Sequence, residues 1–132
     1  MILVKIAISA EGKDLNSSVD PRFGRCSYII IADSDSKGFE VYDNPGIQST
    51  QGAGIQAAQF VAKKKAESLI TGKVGPNALQ ILDSAGIKVY NGTGLTAAEV
   101  IDCFKDDMLS RVNEPGEAHA GLKYRHGRSQ GW

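Results

Sequence analysis

The chain has 132 residues, 42% of them apolar and 23% charged, the balance of one globular domain with its own core. Fifteen basic residues offset fifteen acidic ones, which argues against the one-signed field that nucleic acids and anionic membranes select. Two cysteines are too few for a disulfide scaffold or a complete cysteine zinc site, and they suit a thiol-reducing cytoplasm.

Ile2–Ser9 is β-branched and apolar at nearly every position, which predicts a strand covered on both faces. The run is interrupted by Lys5, meets no small-residue cleavage site and is too short to span a bilayer. Ala10–Arg25 is a polar loop that ends in Pro21-Arg22-Phe23-Gly24-Arg25. Tyr28–Ala32 and Phe39–Tyr42 flank the turn residues Asp33–Gly38 and predict a hairpin. Asn44-Pro45-Gly46 closes it, and from Gly52-Ala53-Gly54 a helix is predicted to about Lys65, with Ile55, Ala58 and Ala62 on its apolar face.

Leu69–Leu82, LITGKVGPNALQIL, carries the most specific local chemistry. A strand over Ser68–Thr71 halts at Gly72, and Gly75-Pro76-Asn77 opens a helix over Pro76–Ala85. Proline at the first helical position gives up only an N–H that has no partner there. Gly75 permits the sharp reversal that a side chain would hinder, through a positive φ if the turn needs one, or else through close approach of a ligand. A helix start of this kind attracts anions, and it serves equally as a plain strand-to-helix turn. Ala78, Leu82 and Ala85 share one helix face, with Gly86 as the left-handed C-cap and Ile87 beyond it. After a strand over Ile87–Tyr90 and the turn Asn91–Gly94, a third helix starts at Thr96, with Glu99 completing a capping box. It carries Ala97, Val100, Ile101 and Phe104 on one face, and Cys103 beside them. Residues 106–132 read as a polar, disordered tail.

The order of elements predicts a single α/β domain over residues 1–105. Its sheet is mixed and five-stranded, in the order 3-2-1-4-5 with strand two antiparallel, and the helices pack on it. That order gathers four loops, 10–25, 44–54, 72–77 and 91–94, at one edge, where open α/β sheets bind ligands. Nine of the fifteen glycines lie in these loops, so backbone is positioned to approach a ligand closely. Arg22 and Arg25 make the cleft positive, whereas Lys73 reads as solvated rim. Cys26 at the same edge is either a soft metal ligand or a small buried hydrophobe. Ile2–Ser9 and Ser68–Thr71 lack the carboxylates of two-metal nuclease chemistry. Both histidines, His119 and His126, fall in the tail, which leaves no ordered Cys–His or Ser–His pair. No enzymatic activity is expected.

Five motifs, FGRC (Phe23–Cys26), NPG (Asn44–Gly46), GAGIQAA (Gly52–Ala58), ITGKVGPNAL (Ile70–Leu79) and AGIKVYNG (Ala85–Gly92), stand in the order and spacing of a known family. Over about residues 1–105 the chain resembles the dinitrogenase iron–molybdenum cofactor biosynthesis and carrier family. The resemblance implies a ribonuclease H-like fold and a role in holding or delivering an iron–sulfur or molybdenum–iron–sulfur cluster, alongside cofactor-assembly proteins and without turnover. With the residue reading, it nominates Arg22, Phe23, Gly24, Arg25, Cys26, Gly52, Gly54, Gly72, Gly75 and Asn77 as cofactor-binding, and Cys26 as the metal ligand. The chain departs from the family in having no histidine before the tail and no cysteine within it, although protein-bound clusters usually take several thiolates. The alternative is a module that binds a small anion, such as a nucleotide or phosphate, or a partner protein, in the same cleft without metal.

Overall fold

Ile6, Ala7 and Ile8 are all fully buried, because the strand that holds them is covered by apolar groups on both sides. This strand, β1 (Lys5–Ala10), lies inside a sheet with β2 (Tyr28–Asp33), β3 (Phe39–Asp43), β4 (Ser68–Thr71) and β5 (Lys88–Asn91). The structure is a computed structural model and describes residues 4–36, 38–47 and 52–113. β1 pairs antiparallel with β2 and parallel with β4, β2 pairs antiparallel with β3, and β4 pairs parallel with β5. The predicted order 3-2-1-4-5 is therefore present.

One strand was not predicted. β6 (Ser110–Arg111) adds to β5 antiparallel and extends the order to β3-β2-β1-β4-β5-β6, so the sheet has six strands and not five. Leu109 and Val112 flank it and are buried in opposite faces of the core. The described chain thus continues through Asn113, past the predicted start of the tail. The disorder predicted for residues after 113 lies outside the described residues.

Strand alternation sorts the core into two clusters. Ala7, Ile29, Ile31, Leu69 and Val89 meet the helices α1 (Ala53–Lys63) and α2 (Pro76–Ser84) on one face. Ile6, Ile8, Ile30 and Ile70 meet α3 (Ala97–Lys105) on the other. The sheet is the middle of three layers, and each buried isoleucine or leucine contributes about 1.5–3 kcal/mol. The buried face of α1 is Ala53, Ala57, Ala58 and Val61, so the predicted trio of Ile55, Ala58 and Ala62 is rotated from the observed face. Ile55 and Ala62 are only partly buried. In α2 the inward residues are Ala78, Leu79 and Leu82, and Ala85, assigned inward from the sequence, is exposed.

Helix ends follow their signals. Gly86 has φ 76° and donates to the Asp83 carbonyl, while Ile87 donates to the Leu82 carbonyl and is buried, the pattern of a Schellman stop. Thr96 and Glu99 form the predicted capping box. None of the helices among the described residues is long and apolar enough to cross a membrane.

Candidate functional site

The C-terminal ends of β1 and β4 mark where the sheet order switches direction, and buried polar groups fill that point. The Ser9 hydroxyl lies 2.6 Å from both the Asp20 carbonyl oxygen and the Thr71 hydroxyl. The Asp20 N–H donates back to the Ser9 carbonyl at 2.8 Å. From this anchor the chain runs through Pro21 and Arg22 into a single 3₁₀ turn, Phe23–Arg25. Phe23 is 1% exposed and fastens the turn to the α1/α2 side of the core. The Lys73 N–H donates to the Pro21 carbonyl, and the Phe23 N–H donates to the Lys73 carbonyl, which ties this turn to the β4–α2 loop.

Asn44 holds the other side of the turn. Its buried Nδ2 donates to the carbonyls of Gly24 at 3.1 Å and Cys26 at 3.0 Å, and its Oδ1 accepts from the Gly46 N–H at 2.9 Å. Gly24 sits against the first turn of α1, where a Cβ would stand 2.8 Å from the Gly54 nitrogen. Gly72 is packed likewise, with a Cβ position 2.8 Å from Pro21 Cα.

Two adjoining grooves result. One, of about 580 Å³, is lined by Arg22–Arg25 and Lys73–Pro76. The other, of about 370 Å³, is lined by Gly24, Arg25, Gly52–Ile55 and Gly75–Ala78. They share Gly24, Arg25, Gly75 and Pro76, and the starts of both α1 and α2 open onto the second. Neither helix start has a side-chain cap or an acidic residue in its first turn. N–H groups in a first turn have no partner within the helix, so both ends present donors and partial positive charge. α3 differs: besides its capping box, the Ala97 and Ala98 N–H groups donate to the carbonyls of Ser17 and Leu15. The two open ends lie on one side of the sheet and the closed end on the other.

Eight of the ten nominated residues line these grooves: Arg22, Phe23, Gly24, Arg25, Gly52, Gly54, Gly75 and Asn77. The side chain of Phe23 points into the core, so the turn's backbone is what it brings to the groove. Gly72 lies beneath, at the crossing with Pro21 and Thr93. Of the two reasons open for Gly75, the turn does not need a positive φ: φ is −71° and ψ is 165°, ordinary extended backbone, with open space where a side chain would be. Gly75→Val should therefore leave the melting free energy within about 1 kcal/mol of the parent in chemical denaturation, as exposed substitutions do. The 91–94 loop packs on the α3 side, with Gly92 against Ile70 and Val100, and lines neither groove.

Cys26 is fully buried and belongs to the α1/α2-side core. Burial pushes its thiol up to about 12, with the nearby Asp20 charge adding to the effect. The structure seats it as a small buried hydrophobe, out of the grooves. In native protein Cys26 should not react with a thiol reagent at pH 8, while the half-buried Cys103 should; equal labelling of both would place Cys26 at the surface.

Arg22 also differs from its simple reading as a cleft cation. Its Nε donates to Asp20 Oδ1 at 3.1 Å and its Nη2 to Asp20 Oδ2 at 3.2 Å. Arg25 donates from Nη1 to the Ile47 carbonyl at 3.4 Å. The residues that sequence reasoning missed are the positioning ones, Asp20 and Asn44. Asn44 carried a turn signal, but nothing local announced its bonds across the chain. A larger hollow of about 680 Å³ lies at the opposite end, beside the β2–β3 turn and the C-terminus of α1. Lys5, Lys64 and Lys65 there face Asp33, Glu40 and Glu67, so it lacks a net sign, and it lies away from the switch point.

Comparison with known proteins shows the family and the fold. The family described as dinitrogenase iron-molybdenum cofactor matches residues 4–107. The apo form of the orange protein from Desulfovibrio gigas superposes with a TM-score of 0.82 at 40% identity, covering 88% of this chain and 98% of that one. The NMR structure of a NifB candidate from Thermotoga gives 0.73 at 40% identity, covering 84% and 95%. A dinitrogenase candidate from Methanocaldococcus jannaschii, 19% identical with a TM-score of 0.63 over 87% and 100% of the two chains, shares the fold. A search of the curated proteins finds no significant match.

Proposed function

The chain belongs to the dinitrogenase iron-molybdenum cofactor family, and from that premise we propose that it is a non-enzymatic carrier. Its cargo is an iron–sulfur or molybdenum–iron–sulfur cluster, or a precursor, handled during cofactor assembly or delivery. The observation that carries this reading is the pair of open helix starts, of α1 and α2, on one glycine-lined cleft. Metal–sulfur clusters are anions whose sulfur atoms accept hydrogen bonds, and bonds to charged groups are about twice as strong as neutral ones.

In this reading Gly24, Gly52, Gly54 and Gly75 let the backbone approach the cargo. Asn77 offers an N–H from the first turn of α2, and Arg25 supplies charge. Phe23 and Gly72 hold the loops in place. Among the described residues no group of three or more His, Cys, Asp or Glu side chains converges to hold a metal ion. The cleft therefore suits a preformed cluster that brings its own sulfur ligands, and not a bare ion. Cys26, sealed in the core with a raised thiol, is left out of the contact set. The 40%-identical orange protein, described in an apo form, supports a protein that is loaded and unloaded.

Anaerobic purification from the native host, followed by metal and sulfide analysis, tests the proposal. The expected result is iron or molybdenum with sulfide in fixed ratio to protein, and absorbance in the visible. Colourless protein that retains phosphate or a nucleotide would instead establish the anion-binding module.

A further inference from the structure

The Asp20 side chain is 1% exposed, yet the guanidinium that holds it is 65% exposed at the rim of the cleft. Its Oδ1 accepts from both the backbone N–H of Arg22, at 3.0 Å, and Arg22 Nε, while Oδ2 accepts from Nη2. The same residue is bonded through its backbone to Ser9, and its carbonyl lies 3.4 Å from the Thr71 hydroxyl, at the ends of the two central parallel strands. Asp20 thus joins the ends of the two central parallel strands to the loop that forms one wall of the cleft.

We infer that Asp20 is the positioning residue of this cleft: it sets the Arg22–Cys26 loop and cancels the charge of Arg22, which limits how anionic a cargo the site favours. The inference rests on the carrier reading. Arg22 cannot turn to a cargo without leaving the buried Asp20 carboxylate held by one backbone N–H and without a countercharge, which is costly. The bonds to Asp20 also raise the Arg22 guanidinium above its ordinary value, the direction expected of a favourable ion pair. The cleft therefore works with one arginine fewer than the motif Arg22-Phe23-Gly24-Arg25 suggests.

A purely structural role and a charge-cancelling role predict opposite signs. Asp20→Asn keeps an oxygen for the Arg22 N–H but releases the guanidinium. Titration uses a synthetic anionic iron–molybdenum–sulfur cluster under anaerobic conditions, at several salt concentrations. The expected result is binding about fivefold tighter than the parent with a steeper salt dependence, the scale of one exposed ion pair. Arg22→Gln, which leaves the Asp20 charge uncompensated, should bind about fivefold more weakly, and the double variant should return to the parent within about twofold. Circular dichroism checks folding; if Asp20→Asn is not folded, Asp20→Ser, which also offers an oxygen to the N–H two residues on, takes its place. Equal or weaker binding by the folded Asp20 variant overturns the inference. So does a double variant as weak as Arg22→Gln, which would mean that Arg22 touches the cargo. A parent that does not bind the cluster at all overturns the carrier reading and this inference together, whereas a parent that binds with unsplit variants overturns the inference alone.

Discussion

Asn44→Ala should lower the unfolding free energy by about 3 kcal/mol, because it strips partners from several backbone groups at about 1–3 kcal/mol each. The Gly24 and Cys26 carbonyls lose their donor and the Gly46 N–H loses its acceptor, all at a residue that is 2% exposed. For a chain of this size that corresponds to a fall of about 10 °C in Tm. The damage should concentrate on one side of the cleft, since Asn44 links the end of β3 to the Phe23–Arg25 turn. Amide exchange should accelerate at Arg25 and Cys26, which donate within that turn, before it does in β4 and β5. A variant with parental stability would show that water replaces the side chain at no cost.

Gly24→Ala has the second large effect, and its cause is steric. The added Cβ would stand 2.8 Å from the Gly54 nitrogen and 3.0 Å from Gly54 Cα, which are helix backbone and cannot rotate away. Overpacking of this kind costs about 1–3 kcal/mol. The turn must move off α1, which widens the cleft between Gly24 and Gly54, so cluster affinity should fall along with stability. Gly75→Val supplies the contrast, because the space around Gly75 is open and a side chain there meets only what enters the cleft. A Gly24→Ala variant that melts and binds as the parent does would show that the two walls are not in contact.

The sheet was legible because β1 and β4 carry apolar residues for both faces, and few other arrangements accommodate such runs. The turn after α2 was legible because Ala85-Gly86-Ile87 places a glycine and an apolar residue where a Schellman stop needs them. β6 was not, since two residues show no period and its support comes from Leu109 and Val112 reaching a core set elsewhere in the chain. The face of α1 was misjudged in part because alanines occupy several sides of the helix: Ala58 is buried as expected, but Ala53, Ala57 and Val61 accompany it instead of Ile55 and Ala62. The groove residues were found from glycine and helix-start signals, which are local. Beyond the local Asp20–Arg22 contacts, Asp20, Asn44 and the crossing that confines Gly72 depend on partners 11 to 51 residues away, and one sequence read alone does not display them. Gly75 shows the same limit from the other side: the sequence marks a glycine at the turn, but only the structure shows that its dihedrals are ordinary and that no positive φ is needed there.

We propose that an anionic metal–sulfur cluster sits where the starts of α1 and α2 meet the Gly24–Arg25 turn. This placement is tested most directly by anaerobic titration of the parent, Gly75→Val and Arg25→Ala with the synthetic iron–molybdenum–sulfur cluster, followed by visible absorbance. The expected result is saturable binding by the parent at a fixed stoichiometry, and binding at least tenfold weaker, about 1.4 kcal/mol, for Gly75→Val with its fold intact. Arg25→Ala should be weaker by a smaller, salt-sensitive factor. Unchanged affinity in both folded variants would rule out this site, because a cargo held elsewhere is indifferent to a side chain placed in this cleft.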